Sequence, residues 1–319
     1  MGKERYLITG ATGLIGSALV KRLVACNVSL TCPVRNLDKA RQIFDADIYD
    51  SVRWVETSVE SYLHNLSEEY DYIIHCASPT ASKLFVEKPV ETIRFGIETT
   101  TDLLNYASNN SIKGMVYLSS LESYGTILDD AESVCEEVQG YVNPLESRSS
   151  YNIAKRTCES LCHAYAYEYK VPVKIVRLTQ TVSPLISMDD MRVFAQFARL
   201  AASGKDIELH TEGTACRQYI HISDAVDAIL CVLYKGAPGE AYNAAREDSY
   251  ISVRDMANFI QDNFNPAGKV VFHLRDDMGY APTTKIRMNT GKLQDLGWTA
   301  KYSLYDMFKD VIESIHRLT

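Results

Sequence analysis

The chain has 319 residues, 46% of them hydrophobic and 23% charged, which is typical of a globular protein with a sizeable core. Its formal net charge is -8, from 33 basic and 41 acidic side chains, and this balance argues against nucleic acid or an anionic membrane as the main partner. The charge does not exclude an anionic small molecule, because a few local arginines can bind one.

The eight cysteines indicate a reducing compartment rather than a disulfide-bonded secreted protein. The segment MGKERYLITG contains no apolar signal core, and no apolar run approaches the roughly 20 residues of a membrane-spanning helix. Cys158, Cys162 and His163 have no second ligand pair at zinc spacing, so we predict core thiols and no metal site. We therefore expect a cytoplasmic protein.

Segments typical of strands and of helices alternate over roughly the first 180 residues. The predicted elements, in chain order, are the strand RYLITG, the helix LIGSALVKRLVAC, the strands VSLTCPV, SVRWVE and YDYIIHCAS, a helix over Pro89–Ala107, the strand GMVYLSS, a helix over Tyr151–Tyr169 and the strand VPVKIVRL. Parallel strands need right-handed helical crossovers, so this alternation predicts a Rossmann-like α/β fold, a doubly wound parallel sheet covered on both faces.

The pattern changes after Leu178, and we predict a smaller mixed α/β lobe for the remainder. Its predicted elements are the loop QTVSPLISMDD, the helix MRVFAQFARLAASG, strand-like pieces in DIELHTEGTACRQYIH, the helix SDAVDAILCVLYKG, the strand EAYNAA and the helices ISVRDMANFIQDNF and SLYDMFKDVIESIHRL. We therefore predict a dinucleotide-binding domain over residues 1–180, to which 219–243 return, and a substrate-binding lobe over 181–319.

The first strand runs directly into the glycine-rich turn of LITGATGLIGSALV. Gly10, Gly13 and Gly16 permit a tight turn, close approach of the backbone to a pyrophosphate, and close packing of the helix on the sheet. The helix that follows offers free N–H groups and the positive end of its dipole. We predict a dinucleotide cofactor at this turn; the alternative is a purely structural turn.

Arg35 follows the second strand, where an acidic residue would bind the ribose hydroxyls of NAD. An arginine at this place can pair with a 2′-phosphate, which favours NADP. The alternative is a surface arginine that lies along the adenine. We therefore expect NAD or NADP as the cofactor.

Tyr151 and Lys155, in SSYNIAKRTCE, are four residues apart and share one face of a predicted helix. A lysine ammonium near a phenol favours the phenolate, which can then exchange a proton with a substrate hydroxyl while a hydride passes to or from a nicotinamide. Ser120 ends a strand at the same crevice and can orient that hydroxyl. These three residues predict a hydride-transfer site.

The motifs TGATGLIG, HCAS, SSLESYG, YNIAK, RQYIHISDA and LGW occur in an order that covers nearly the whole chain. In this the sequence resembles the extended short-chain dehydrogenases/reductases of the NAD-dependent epimerase/dehydratase family, enzymes that act on nucleotide sugars. The pattern is most similar to that of the UDP-glucuronate decarboxylases. The resemblance implies a nucleotide-diphosphate-sugar substrate, and a homodimer formed through two long helices of the first lobe.

The resemblance also implies roles for individual residues. The catalytic residues would be Ser120, Glu122, Tyr151 and Lys155. The cofactor would contact Gly10, Thr12, Gly13, Leu14, Ile15, Gly16, Arg35 and Ala77, together with Tyr151 and Lys155. The substrate would contact Gln180, Arg217 and Arg287, with Lys285 as the alternative to Arg287. For Arg217, which would clamp the diphosphate, a salt bridge between the lobes is the alternative.

Glu122 bears on which reaction follows the oxidation at ring carbon four. By resemblance, a glutamate at this place is typical of dehydratases and UDP-glucuronate decarboxylases and is not found in galactose-type epimerases. The preceding Leu121 cannot donate the proton that an aspartate supplies in 4,6-dehydratases. The segment HCASPTASKLFVEKPVETI also resembles the decarboxylases, with an aromatic residue before Pro-Val. The alternative for Glu122 is a solvated loop carboxylate.

The chain departs from the decarboxylase pattern at several places. Gln180, Val182 and Ser183 replace an asparagine, a tyrosine and a glycine, and Ser58 stands where an aspartate would contact the adenine. Arg35 replaces an acidic residue, and Leu121 replaces a serine of the decarboxylases. Our leading hypothesis is nevertheless an NAD(P)-dependent nucleotide-sugar enzyme that acts through a transient 4-keto sugar and resembles a decarboxylase. The alternatives are a 4-epimerase, a 4,6-dehydratase, an NADPH-dependent keto-sugar reductase and a dinucleotide sensor without catalytic activity.

Overall fold

The β-strands were located in a computed structural model that describes residues 2–79, 82–127, 133–185, 190–275 and 285–318. They are β1 (Arg5–Thr9), β2 (Ser29–Val34), β3 (Val52–Glu56), β4 (Tyr72–His75), β5 (Gly114–Ser120), β6 (Val173–Leu178), β7 (Gln180–Val182), β8 (Ile207–Leu209), β9 (Cys216–Arg217), β10 (Tyr219–His221), β11 (Ala241–Ala244), β12 (Ile251–Ser252) and β13 (Val270–Phe272). The strands predicted from sequence in the first lobe are all present.

The helices alternate with these strands. They are α1 (Leu14–Val24), α2 (Leu37–Ile43), α3 (Ala46–Asp50), α4 (Val59–His64), α5 (Ser82–Glu87), α6 (Pro89–Asn109), α7 (Ser150–Tyr169), α8 (Val193–Ala202), α9 (Ile222–Lys235), α10 (Val253–Phe264), α11 (Gly291–Gln294) and α12 (Leu304–Leu318). Short 3₁₀ helices cover Leu121–Tyr124, Ser147–Ser149 and Glu247–Ser249. The long predicted helices are confirmed, whereas the sequence analysis did not find the short helices α2 to α5.

Seven strands form one sheet in the order β11-β6-β5-β4-β1-β2-β3, and all neighbours in it are parallel. Since β1 lies between β2 and β4, the chain changes direction across the sheet at this strand. Ligands of open α/β sheets bind outside the carboxyl ends of the strands at such a switch point. The predicted Rossmann-like fold class is confirmed.

Alternating side chains of β1 bury themselves on opposite faces of the sheet, as the two-residue repeat of a strand requires. Tyr6 and Ile8 pack with α1 and α9 on one face, and Leu7 packs with α6 and α7 on the other. Cys158 and Cys162 lie in this second core and are fully buried, which confirms them as core thiols. Both faces are therefore covered by helices.

A further apolar core joins α8, α10 and α12. Around it β7 pairs with β10 and β8 with β13, both parallel, and β9 pairs antiparallel with β12. The loop predicted for QTVSPLISMDD was wrong in its first part, because Gln180–Val182 is the strand β7, which β10 supports. Residues 186–189 of that predicted loop lie outside the described residues.

Within the described ranges, no helix is both long and apolar enough to cross a membrane. No group of three or more His, Cys, Asp or Glu side chains within them could hold a metal ion.

Candidate active site

The glycine-rich turn joins β1 to α1 at the switch point of the sheet. Gly10 has a φ of 70°, and a Cβ atom on it would lie 2.8 Å from the backbone nitrogen of Ala77. A Cβ atom on Gly16 would lie 2.2 Å from the carbonyl oxygen of Gly10. Because real Cβ atoms do not approach backbone atoms so closely, this turn requires glycine at both positions.

The beginning of α1 fits the pyrophosphate of a dinucleotide. Gly13 caps the helix without a side-chain hydrogen bond, and the first turn contains no acidic residue. Since the first N–H groups of a helix have no acceptor within it, those of Leu14, Ile15 and Gly16 can bind an anion. Thr12, Leu14 and Ile15 are partly exposed and Gly13 is exposed. The assignment of these residues to the cofactor remains a prediction.

The end of β4 is fixed beside the same turn. The Thr9 hydroxyl lies 2.7 Å from Nδ1 of the buried His75 and accepts a hydrogen bond of 3.3 Å from the backbone N–H of Ala77. Burial, with a smaller contribution from Lys155, lowers the pKa of His75 to about 3. His75 is therefore neutral, and its contact with Thr9 holds Ala77 next to the glycine-rich turn.

Tyr151 and Lys155 lie one turn apart on α7, and both are buried. The Lys155 ammonium donates a hydrogen bond of 2.6 Å to the carbonyl oxygen of Leu118. Its nitrogen lies 5.5 Å from the centre of the Tyr151 ring and 4.8 Å from that of Tyr117. Since Leu118 is two residues before Ser120, Lys155 holds the end of β5 beside the helix that carries Tyr151.

Phe85 of α5 stacks on Tyr151, with ring centres 4.3 Å apart and planes at 10°. The Ser150 hydroxyl donates a hydrogen bond of 2.9 Å to the carbonyl oxygen of Phe85, which fixes the backbone on that side. The guanidinium of Arg148 lies 5.1 Å from the centre of the Phe85 ring. Phe85 is the aromatic residue of the decarboxylase-like segment, and its contact with Tyr151 restricts the phenol ring to one orientation.

Glu122 lies in the 3₁₀ helix that follows β5. Its backbone N–H donates a hydrogen bond of 3.2 Å to the Ser120 hydroxyl. The Asn152 amide donates to its carbonyl oxygen at 2.7 Å and to Oε2 at 3.3 Å, and Nη2 of Arg148 lies 3.8 Å from Oε1. The carboxylate is thus held between two side chains next to Ser120, although its role in a reaction remains a prediction.

Further side chains of α7 bind the segment that contains Ser120, and the sequence analysis did not find them. Arg156 donates a hydrogen bond of 2.6 Å to the carbonyl oxygen of Ser123. Glu159 accepts hydrogen bonds from the Ser119 hydroxyl at 2.5 Å and from the buried Arg177 at 2.7 and 3.0 Å. Both residues follow Asn152 at helical spacing, which is the one indication in the sequence that they share a face.

Leu121 points away from this polar group. It is 4% exposed and packs in a small apolar cluster with Tyr124, Val134, Ile286 and Met288. The position directly before Glu122 therefore contributes no proton donor.

Arg35 is exposed at the end of β2. Glu56, which ends the neighbouring β3, pairs with Val34 and accepts a hydrogen bond of 3.2 Å from the backbone N–H of Leu37 at the start of α2. This carboxylate is engaged by α2, so Arg35 is the charged side chain that β2 itself places at its carboxyl end.

Of the predicted substrate contacts, Gln180 lies on β7 and Arg217 on β9, whereas Lys285 and Arg287 lie outside the strands. Gln180 in β7 pairs with Tyr219 in β10, two residues after Arg217. Arg217 pairs with Ile251, and Lys285 forms a bridge with Cys216. The carbonyl oxygen of Arg287 accepts a hydrogen bond of 2.6 Å from the backbone N–H of Val134. The fold thus brings Arg217, Lys285 and the backbone of Arg287 into one region, and their contact with a substrate remains a prediction.

The sheet, the glycine-rich turn at its switch point and the buried Tyr151–Lys155 pair define a dehydrogenase/reductase of the short-chain type. Residues 6–245 match the model of the NAD dependent epimerase/dehydratase family. The chain therefore belongs to this family, and the resemblance inferred from its motifs is confirmed.

Two relatives are decarboxylases. UDP-glucuronic acid decarboxylase 5 of Arabidopsis thaliana is 27% identical over 313 residues, with 94% of this chain and 86% of the relative covered. UDP-N-acetyl-alpha-D-glucosaminuronate decarboxylase of Bacillus cytotoxicus is 28% identical over 272 residues, with 84% and 83% covered. Among solved structures, UDP-glucose 4-epimerase of Thermotoga maritima with UDP-glucose has a TM-score of 0.85 at 20% identity, with 98% of this chain and 99% of that chain covered. This last likeness shows the fold alone.

Proposed function

We propose that the protein decarboxylates a nucleotide-linked uronic acid, such as UDP-glucuronate, through a transient 4-keto sugar. Its membership of the NAD dependent epimerase/dehydratase family and the names of its decarboxylase relatives support this proposal. The chain covers 86% of the first of these relatives, so the comparison extends over nearly the whole enzyme.

The observation that carries the proposal is the contrast between Glu122 and Leu121. Glu122 is held by Asn152 and Arg148 next to Ser120, whereas Leu121 is buried in an apolar cluster. A 4,6-dehydration that expels the hydroxyl of carbon six needs an acid at position 121, and the leucine there cannot donate a proton. A decarboxylation needs no such acid, because carbon dioxide leaves without a proton.

Three side chains of this protein act on the hydroxyl at carbon four of the sugar. Tyr151 takes the proton of the 4-hydroxyl, Ser120 orients that hydroxyl, and the Lys155 ammonium stabilises the phenolate. A bound nicotinamide would accept the hydride from carbon four and later return it. Phe85 keeps the Tyr151 ring in one orientation, so that the proton passes along a fixed direction.

A ketone at carbon four makes the carboxylate of a uronic acid a β-keto acid. The bond between carbons five and six then breaks, carbon dioxide leaves, and the electron pair moves into the enolate of the ketone. A proton adds at carbon five and the ketone is reduced again. The hydride removed at the beginning is returned at the end, so the net reaction consumes no oxidant.

The test is incubation of the protein, purified with its own cofactor, with UDP-glucuronate, followed by mass spectrometry of the nucleotide product. We expect a product lighter by carbon dioxide. A new product that has the mass of the substrate but separates from it by chromatography would indicate epimerisation. Loss of water would indicate dehydration, and net consumption of NADPH with a keto sugar would indicate a reductase. Any of these results without loss of carbon dioxide overturns the proposal, and the absence of all turnover supports the dinucleotide sensor.

We also propose a homodimer through the outer faces of α6 and α7, which pack along each other, and a cytoplasmic location, which the eight free cysteines support. Light scattering of the purified protein tests the dimer. A monomer at micromolar concentration would contradict it.

A further inference from the structure

Arg148 contacts Glu122 beside the candidate active site but takes no part in the proton and hydride transfers proposed above. It belongs to the 3₁₀ helix that leads into α7, three residues before Tyr151, so the two side chains leave the same side of the chain. Its guanidinium stacks on Phe85 at 5.1 Å, and Phe85 stacks on Tyr151 at 4.3 Å. The Phe85 ring therefore connects the Arg148 cation to Tyr151, the residue proposed to take the proton of the sugar's 4-hydroxyl.

The guanidinium of Arg148 forms no hydrogen bond to another described residue. Its Nη1 atom is shielded from water and has no partner. The nearest carboxylate oxygen, Oε1 of Glu122, is 3.8 Å from Nη2. Arg156, on the same stretch of chain, differs in this respect, because it donates to the carbonyl oxygens of Ser123, Tyr124 and Gly140. Arg156 therefore supports the backbone, whereas Arg148 supports none of it.

The contact between Arg148 and Glu122 is easy to exchange. The two side chains are 37% and 26% exposed, and ion pairs at such exposed sites contribute little to stability. A buried N–H group without an acceptor is destabilising, so a carboxylate that binds the guanidinium through two oxygens would be favoured over the present contact. The stack on Phe85 keeps the guanidinium plane in place for that exchange.

We propose that Arg148 recognises the carboxylate of the sugar and makes the site selective for nucleotide uronates over neutral nucleotide sugars. This inference rests on the proposed function and assigns its specificity to one residue. The incoming carboxylate replaces Glu122 as the partner of Arg148. Glu122 stays in place because the Asn152 amide donates hydrogen bonds to the backbone carbonyl and to Oε2 of Glu122. A neutral hydroxymethyl group at the same carbon offers the guanidinium no negative charge and leaves the pair with Glu122 intact.

The experiment compares the binding of UDP, UDP-glucose and UDP-glucuronate by calorimetry, with the protein loaded with its own cofactor. Arg148→Gln removes the charge, and Arg148→Lys keeps the charge without the planar fork. Lys83→Gln is the matched control, because Lys83 is an exposed cation of α5, two residues from Phe85, and its nearest partner is Glu87 at 3.6 Å. Thermal unfolding of each variant checks that it is folded.

We expect Arg148→Gln to weaken the binding of UDP-glucuronate about 10- to 100-fold, with UDP-glucose and UDP unchanged. Arg148→Lys should recover part of the loss, and Lys83→Gln should resemble the unchanged protein. If Arg148→Gln weakened the binding of UDP-glucuronate and of UDP-glucose equally, or of neither, the inference would be overturned. It would also be overturned if the wild-type protein did not bind UDP-glucuronate more tightly than UDP-glucose. The protein could bind UDP-glucuronate in preference to UDP-glucose, lose this preference in Arg148→Gln, and yet release no carbon dioxide. In that case the proposed function fails and the specificity role of Arg148 stands. If the protein decarboxylates UDP-glucuronate and Arg148→Gln keeps the preference for it, the proposed function stands and the specificity role of Arg148 fails.

Discussion

The Ser119 hydroxyl donates a hydrogen bond of 2.5 Å to Glu159, one helical turn beyond Lys155. Glu159 also accepts two hydrogen bonds from Arg177, so three buried residues on β5, α7 and β6 are joined. Ser120 follows Ser119 directly. The position of Ser120 relative to the helix of Tyr151 therefore depends on this buried ion pair.

Glu159→Gln should destabilise the protein by about 3–5 kcal/mol, because it leaves the charge of the buried Arg177 without its partner. The measurement is the free energy of unfolding in urea. Glu168→Gln, an exposed change on the same helix, is the control and should have little effect. If the two variants were equally stable, the ion pair would not hold β5 to α7.

Tyr151→Phe should lower kcat by about 10²–10⁴-fold, because phenylalanine keeps the stack on Phe85 but cannot exchange a proton. The binding of nucleotide and cofactor should change little. Turnover of UDP-glucuronate, followed as carbon dioxide release, gives kcat, and fluorescence of the bound cofactor checks its occupancy. Retention of full turnover would show that another group handles the proton.

The sequence alone was sufficient for features that depend on near neighbours. The glycine-rich turn is read within seven residues, and the Tyr151–Lys155 pair within one helical turn. Most strands of the sheet were predicted because they are short, largely buried apolar runs, although the edge strand β3 is only partly buried. The short helices α2 to α5 were not predicted, since five to seven residues hold too few periodic positions to be recognised.

Features that join distant parts of the chain could not be predicted. Phe85 precedes Tyr151 by 66 residues, and nothing in its neighbourhood indicates a stack with that ring. Gln180 was placed in a loop because its neighbours lack an alternating pattern, yet β10 supports it as a strand. Arg148 was not predicted as a site residue, because nothing in the sequence shows that its Nη1 atom is buried without a partner.

Gly16→Ala should abolish cofactor binding and lower stability, because the new Cβ atom would lie 2.2 Å from the carbonyl oxygen of Gly10. Gly13→Ala is the matched comparison. Its Cβ atom would lie 3.2 Å from that oxygen, a distance that a small shift relieves. Thermal unfolding and the cofactor content of the purified variants measure both effects. Equal behaviour of the two variants would contradict the close approach of the turn to α1.

Arg35→Gln should weaken the binding of NADP at least about tenfold and leave that of NAD nearly unchanged, because a 2′-phosphate gains a charged hydrogen bond that NAD does not make. Titration of the cofactor-free protein with each dinucleotide measures this difference. A parallel loss for both cofactors would place Arg35 along the adenine instead.

The buried His75 should make the protein less stable in weak acid. Its pKa in the folded protein is about 3, against 6.5 in its ordinary state, so the unfolded chain binds a proton that the folded chain does not. This contribution is fully present above about pH 6.5 and is lost as the pH falls toward 3, by up to about 1.4 kcal/mol per pH unit.

His75→Asn removes the titrating group and keeps a polar partner for Thr9. Between pH 7 and pH 5 the unchanged protein should lose about 2 kcal/mol more of its unfolding free energy in urea than the variant does, because other groups cancel in the comparison. The same pH dependence in both proteins would show that His75 is protonated in the fold or exposed to water.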